Sequence, residues 1–211
     1  LIEKLSKSNV LEQEKELILF QAISEGFVSD DSVAIDASHF EARDKATASE
    51  KKEKPEPQKR GRKKKEEQAS YDQQKLEEEE NKALYEKKIE AQLEVSLEEL
   101  RSEMPIEPAW GIKKNSEGKN TYWFGYKAHL AVGTKSQYIL QSVMSSGSLN
   151  DGKAAIPLLK GIQKLPISIR HACMDAGYDY VSIYKQLLSM DVNAVIAYNK
   201  RGEGETLGYD Q

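Results

Sequence analysis

Two aspartates stand where a sequence of this kind can do chemistry. Asp36 follows Val33-Ala34-Ile35, a short apolar run that reads as a strand ending in a carboxylate. Asp175 follows Ile169 to Met174, a second strand-like run. Each is followed by small residues, Ala37-Ser38 and Ala176-Gly177. A carboxylate at the C-terminal end of a buried strand, with little bulk beyond it, suits a metal site. The sheet fixes the backbone, the small neighbours admit ligand and water, and open α/β sheets gather ligands at that end. The plainer alternative is that each Asp caps a turn.

The elements needed to position these residues can be read along the chain. Residues 2 to 24 predict a helix with an apolar face of Leu11, Leu17, Ile18, Phe20 and Ile23, a cap at Asn9 and a stop at Gly26. Residues 72 to 101 predict a long solvated helix, rich in Glu/Lys pairs, with a thin stripe of Leu84, Ile89, Leu93, Leu97 and Leu100. Tyr122 to Val132 alternates, with Tyr122, Phe124, Tyr126, Ala128, Leu130 and Val132 on one face, and Tyr138 to Met144 follows as its hairpin partner. A helix over Ile156 to Ile162, a strand over Ile169 to Met174, a helix over Val181 to Met190 and a strand over Val192 to Ala197 complete a β-β-α-β-α-β half. Asp151 and Asp179 are placed to cap the helices that follow them.

Composition divides the chain. Of 211 residues, 38% are hydrophobic and 31% charged, too polar for a packed domain throughout. The net charge of -4 conceals a basic arm at 51–65, including Lys59, Arg60, Arg62, Lys63, Lys64 and Lys65, followed by four consecutive glutamates, Glu77 to Glu80. Residues 41 to 70 hold almost no bulky apolar side chains and predict a disordered or extended arm, whose basic residues suit sequence-independent contact with DNA phosphates. The single cysteine, Cys173, excludes an intrachain disulfide and reads as a core residue. No apolar run is long enough to span a membrane, and no signal peptide is visible. The first residue is Leu and the last eleven are glycine-rich and polar, which predicts a fragment of a longer protein.

Four segments in order carry a family resemblance. Val33 to Ala42 resembles the first-Asp segment of bacterial insertion-sequence transposases of the DDE class, and Cys173 to Asp179 resembles their second-Asp segment. Phe124 to Val132 is similar to the family's second strand, and Asn150-Asp151 to the stretch before its first sheet-covering helix. The resemblance implies an α/β, ribonuclease H-like mixed sheet flanked by helices, with a charged, partly disordered and partly helical insert after the first strand. It implies a helical lead-in over 1–30 from an upstream domain, a catalytic core over 31–40 and 105–211, and an insert over 41–104. Asp36 and Asp175 would then meet on neighbouring strands as catalytic, metal-binding carboxylates, Asp36 bridging two Mg²⁺ or Mn²⁺ ions and Asp175 holding one. The family's third carboxylate has no good match, because Glu203 and Glu205 fall in a glycine-rich run, so the piece alone is expected to be inactive.

The implied partners are double-stranded DNA, both element ends and target, and a second copy of the complete chain. The implied place is the bacterial cytoplasm, at the nucleoid when bound to DNA. Lys127 and His129 share a strand face opposite Tyr126 and could approach the scissile phosphate, the alternative being a solvated face. His39, close after Asp36, is weighed in the same way. Other readings stay open at this point: a non-catalytic DNA-binding transposase remnant, another ribonuclease H-like nuclease, and a helical interaction protein based on residues 72 to 101.

Overall fold

The computed structural model describes residues 10–43, 65–114 and 117–199. The basic arm up to Lys64, the proposed Asn9 cap, and Glu203 and Glu205 lie outside the described residues. Helix α1 spans Val10–Ser24, and strand β1 spans Ser32–Glu41. Helix α2 (Lys65–Glu80) and a short helix α3 (Leu97–Ser102) precede strands β2 (Ala109–Lys114), β3 (Asn120–Gly133) and β4 (Ile139–Ser146). Helix α4 (Asp151–Gln163), strand β5 (His171–Met174), helix α5 (Val181–Ser189) and strand β6 (Asn193–Ile196) follow. Six strands form one mixed sheet in the order β2-β3-β1-β5-β6, with β4 also paired to β3. The expected α/β sheet flanked by helices is what forms. No helix among the described residues is long and apolar enough to cross a membrane.

The core lies between this sheet and α4. Ala154, Ala155, Ile156, Leu158, Leu159 and Ile162 of α4 are buried, as are Val33 and Ile35 of β1, Leu140 of β4, Ala172 of β5 and Ile183 and Leu187 of α5. Helix α4 contacts β4, β3 and β1 on one side and α5 and α3 on others, which makes it the hub of the fold. Gly161 permits the close approach: a Cβ there would stand 2.8 Å from the Gln141 side chain on β4. The helix starts five residues before the expected Ile156, because the Asn150 side chain caps it by accepting from Gly152 N–H at 2.9 Å. Asp151 is therefore not the cap. Nor does Asp179 cap α5: the cap position is Tyr180, and Asp179 instead accepts from Tyr184 and from the Asn199 backbone.

Several expected elements take different shapes. Strand β1 runs five residues beyond Asp36, so Asp36 is interior to the strand rather than its last residue. The expected helix over 72 to 101 is broken: α2 ends at Glu80, a 3-10 turn covers Ile89–Gln92, and α3 starts anew at Leu97. The break has a local cause, since Ser96 accepts from Glu99 N–H at 3.2 Å and so begins a helix there. The stripe itself is real, because Ile89, Leu97 and Leu100 are buried and Leu84 and Leu93 pack against the core. In α1 the inward residues are Leu19 and Ala22 with Ile23 alongside, while Leu11, Leu17, Ile18 and Phe20 stay exposed. Cys173 is half-buried, on the strand positions opposite to buried Ala172 and Met174.

Strand β3 keeps the expected alternation and shows which of its faces is covered. The residues Tyr122, Phe124, Tyr126, Leu130 and Val132 do share a face, but it is the less covered one, whereas Trp123, His129 and Ala131 face the helical layer and are buried. Only Ala128 of the expected face is buried. Apolar side chains mark the strand's period correctly, but α4 packs against the face whose residues, Trp123 apart, are small or polar. Strand β2, not anticipated, extends the uncovered face by pairing Trp110 with Phe124 and Ile112 with Tyr122.

Candidate active site

Strand pairing decides where the two aspartates go. Strands β1 and β5 are parallel, and their register ends at Ile35 opposite Met174. Asp36 and Asp175 are the next residues on each chain, so they stand side by side one step past the shared ladder. Neighbouring strands in a sheet run roughly 4.8 Å apart. Val33 and Ile35 face the buried side, and so do Ala172 and Met174; strand alternation carries Asp36 to the opposite face. Both aspartates are exposed.

Each aspartate spends one oxygen on its own backbone. Asp36 Oδ1 accepts from Ala37 N–H at 2.7 Å, and Asp175 Oδ1 accepts from Gly177 N–H at 2.8 Å as the N-cap of a 3-10 turn, Ala176–Tyr178. These bonds fix the carboxylate planes and leave each Oδ2 without a partner among the described residues. Neither carboxylate is in an ion pair with a described residue. A Cβ at Gly177 would lie 2.9 Å from Asp175 Oδ1, so a side chain there would shift that carboxylate.

A layer of polar groups supports this edge from the helical side. Lys127 on β3, opposite His39 on β1, donates to Asp151 Oδ1 at 2.8 Å and to the Leu149 carbonyl at 2.8 Å. This ties β3 to the first turn of α4, where a negative charge also suits the helix dipole. His129 is fully buried and its Nε2 is 2.8 Å from Ser145 Oγ on β4. The Ser145 hydroxyl donates to the Ser146 carbonyl, so Nε2 carries the donated proton and Nδ1 is left as a buried acceptor without a partner among the described residues. Burial lowers the His129 pKa from 6.5 to about 4; Asp151 and Asp36 oppose the shift and Lys127 adds to it. His39 packs its ring 4.7 Å from that of Trp123. Tyr178, at the end of the 3-10 turn, is also buried and its hydroxyl has no partner among the described residues.

The structure thus brings Asp36 and Asp175 together and packs Lys127 and His129 behind them. Lys127 is engaged with Asp151, and His129 has no exposed surface. The side chain of Lys65, at the start of α2, and the rest of the basic arm are outside the described side chains. Sequence reading missed Tyr178, the Lys127–Asp151 pair and the His129–Ser145 bond. A tyrosine three residues after a strand-end Asp is a weak signal, and the pairs join residues of different elements.

Two carboxylates with open oxygens and no competing cation among the described residues are a hard-oxygen donor pair that fits Mg²⁺ or Mn²⁺. Among the described residues no group of three or more His, Cys, Asp or Glu is close enough to hold a metal ion, so the pair would share its ion with water or substrate oxygens. A family model described as the transposase DDE domain matches residues 29–208. No curated protein matches the chain.

Proposed function

The chain belongs to the transposase DDE domain family, a family of divalent-metal-dependent enzymes that act on DNA in transposition, and from that premise we propose that Asp36 and Asp175 are its catalytic, metal-binding pair. The observation that carries this reading is the parallel β1–β5 register, which ends at Ile35 and Met174 and leaves the two carboxylates adjacent with one open oxygen each. Bound Mg²⁺ or Mn²⁺, two ions in the complete domain, would supply activation of an attacking water or 3′-hydroxyl and stabilisation of the leaving oxygen.

The protein's own part is positioning. Asp36, interior to β1 and still paired to β3 past the end of the β1–β5 ladder, would be the more rigid of the two ligands. Asp175, held by its cap bond to Gly177, supplies the second wall. Lys127 holds the N-terminus of α4 against β3, and His129 stays neutral and braces β3 against β4; in this reading both support the site and neither grips the DNA directly. Phosphate contact falls to Lys59, Arg60, Arg62, Lys63, Lys64 and Lys65, whose charge density suits a backbone-following, sequence-independent grip. The substrate is double-stranded DNA at element ends and target. Two ends must be joined in one event, which favours a homodimer, and work on DNA puts the protein at the nucleoid of a bacterial cytoplasm.

Without metal, the adjacent carboxylates repel each other, and a bound cation would relieve that repulsion. A cation that binds the folded state alone stabilises it by about 2.7 kcal/mol at a hundredfold excess over Kd. The thermal midpoint of the wild-type chain should therefore rise with added MnCl₂ or MgCl₂, and Asp36→Asn should abolish the rise while leaving the metal-free midpoint equal or higher. A wild-type midpoint indifferent to metal, or an Asp36→Asn variant that responds as fully as wild type, would refute the assignment.

A further inference from the structure

Tyr178 is 1% exposed, yet its hydroxyl is a buried polar atom without a partner among the described residues. Leaving such a group unsatisfied is destabilising, because it gives up water without gaining a partner. Phenylalanine would fill the same space without that cost, so packing alone gives no reason for the oxygen. Its surroundings give one. The ring is carried by the 3-10 turn that Asp175 caps, and that turn packs against α4, whose first residue is Asp151. The charges acting on the phenol, after burial itself, are those of Asp151, Asp36 and Asp175, in that order. Asp151 Oδ1 is taken by Lys127, and the second oxygen of each of the three carboxylates has no partner among the described residues.

We infer that Tyr178 is a positioning residue of the cation site, its buried hydroxyl donating to an oxygen of Asp175, whose capped turn carries the ring, when that carboxylate holds a divalent ion. This rests on the metal-binding reading of Asp36 and Asp175 and deepens it. A phenol O–H is a donor at any pH the fold tolerates, because burial and the three carboxylates raise its pKa above the ordinary tyrosine value. Donors outside the ligand set orient metal-binding carboxylates, and losing one typically weakens metal affinity about 10- to 100-fold. No ligand is lost when the hydroxyl is removed, so the effect should be on affinity and not on stoichiometry.

The test is Mn²⁺ binding to the full chain, followed by electron paramagnetic resonance of free Mn²⁺ and by thermal midpoint, for wild type, Tyr178→Phe and Asp36→Asn. The expected result is a metal-free midpoint for Tyr178→Phe equal to or above wild type, with Mn²⁺ affinity reduced tenfold or more. Wild-type Mn²⁺ affinity in Tyr178→Phe, alongside loss of binding in Asp36→Asn, overturns the role of Tyr178 and spares the cation site. A lower metal-free midpoint with unchanged affinity assigns the hydroxyl a purely structural role and also overturns it. Absence of Mn²⁺ binding in the wild type overturns the cation site itself and this inference with it.

Discussion

A histidine sealed beneath a helix responds to pH in the opposite sense from one that gains an acidic partner at a surface. The folded pKa of His129 is lowered to about 4 from 6.5, chiefly by burial. The unfolded chain therefore takes up a proton between about pH 6.5 and 4 that the folded chain refuses, and stability falls as pH falls through that window. The charged groups around the ring are Asp151, Asp36 and Lys127, and only Lys127 works with burial. His129→Gln keeps an N–H for Ser145 and removes the titration. Thermal midpoints measured from pH 7.5 to 4.5 should fall less steeply for this variant than for wild type; parallel curves would mean that His129 does not govern the acid limb. At this scale the sequence is informative where a residue's meaning is local. Asp36 and Asp175 were legible because each follows an apolar run and precedes small residues. The engagement of Lys127 by Asp151 was not, because the partner lies on another element and neither residue type demands it.

Elements were legible where one signal dominated and illegible where two competed. The 72–101 segment is rich in helix formers and reads as one helix, but in the structure the Ser96 hydroxyl caps Leu97–Ser102 and the preceding chain turns through a 3-10 step. Burial decides the contest: folding back lets Ile89, Leu97 and Leu100 reach the core, and Tyr85 donates to the Leu100 carbonyl at 2.7 Å. A straight helix would bury only one end of that stripe. The cap should therefore matter beyond its own turn. Ser96→Ala should cost about 1 kcal/mol, the usual value for a lost N-cap, read as a lower denaturation midpoint with unchanged slope in urea. An unchanged midpoint would mean that packing alone places α3. On β3 the period was legible but the buried side was not, since His129 and Ala131 are a poor advertisement for a core face. Strand β2 escaped notice because its apolar residues, Trp110 and Ile112, are exposed and alternate over only six positions.

The whole molecule poses an electrostatic problem: a chain of net charge -4 must hold a polyanion. Averaged over the surface that charge would repel DNA, so binding requires the positive charge to be segregated. The sequence supplies such segregation in residues 51–65, with nine Lys or Arg against two Glu, ahead of the acidic Glu77–Glu80. Between Asp36 and the later strands, this placement tethers the cationic stretch to the same strand that carries one of the paired carboxylates. Each phosphate contact made by Lys or Arg contributes about -0.9 to the slope of log affinity against log salt on duplex DNA. Deleting residues 51–64 spares α2 and removes eight of those nine cations. The salt slope of duplex binding should flatten by several units while the thermal midpoint stays within about 2 °C, because the core described between α4 and the sheet is already built from residues outside that stretch. An unchanged slope would show that other cations hold the DNA; a collapsed midpoint would show that the stretch is part of the fold. Only the combination of a flattened slope and a stable core is consistent with an acidic catalytic body that borrows its affinity for DNA from one basic arm.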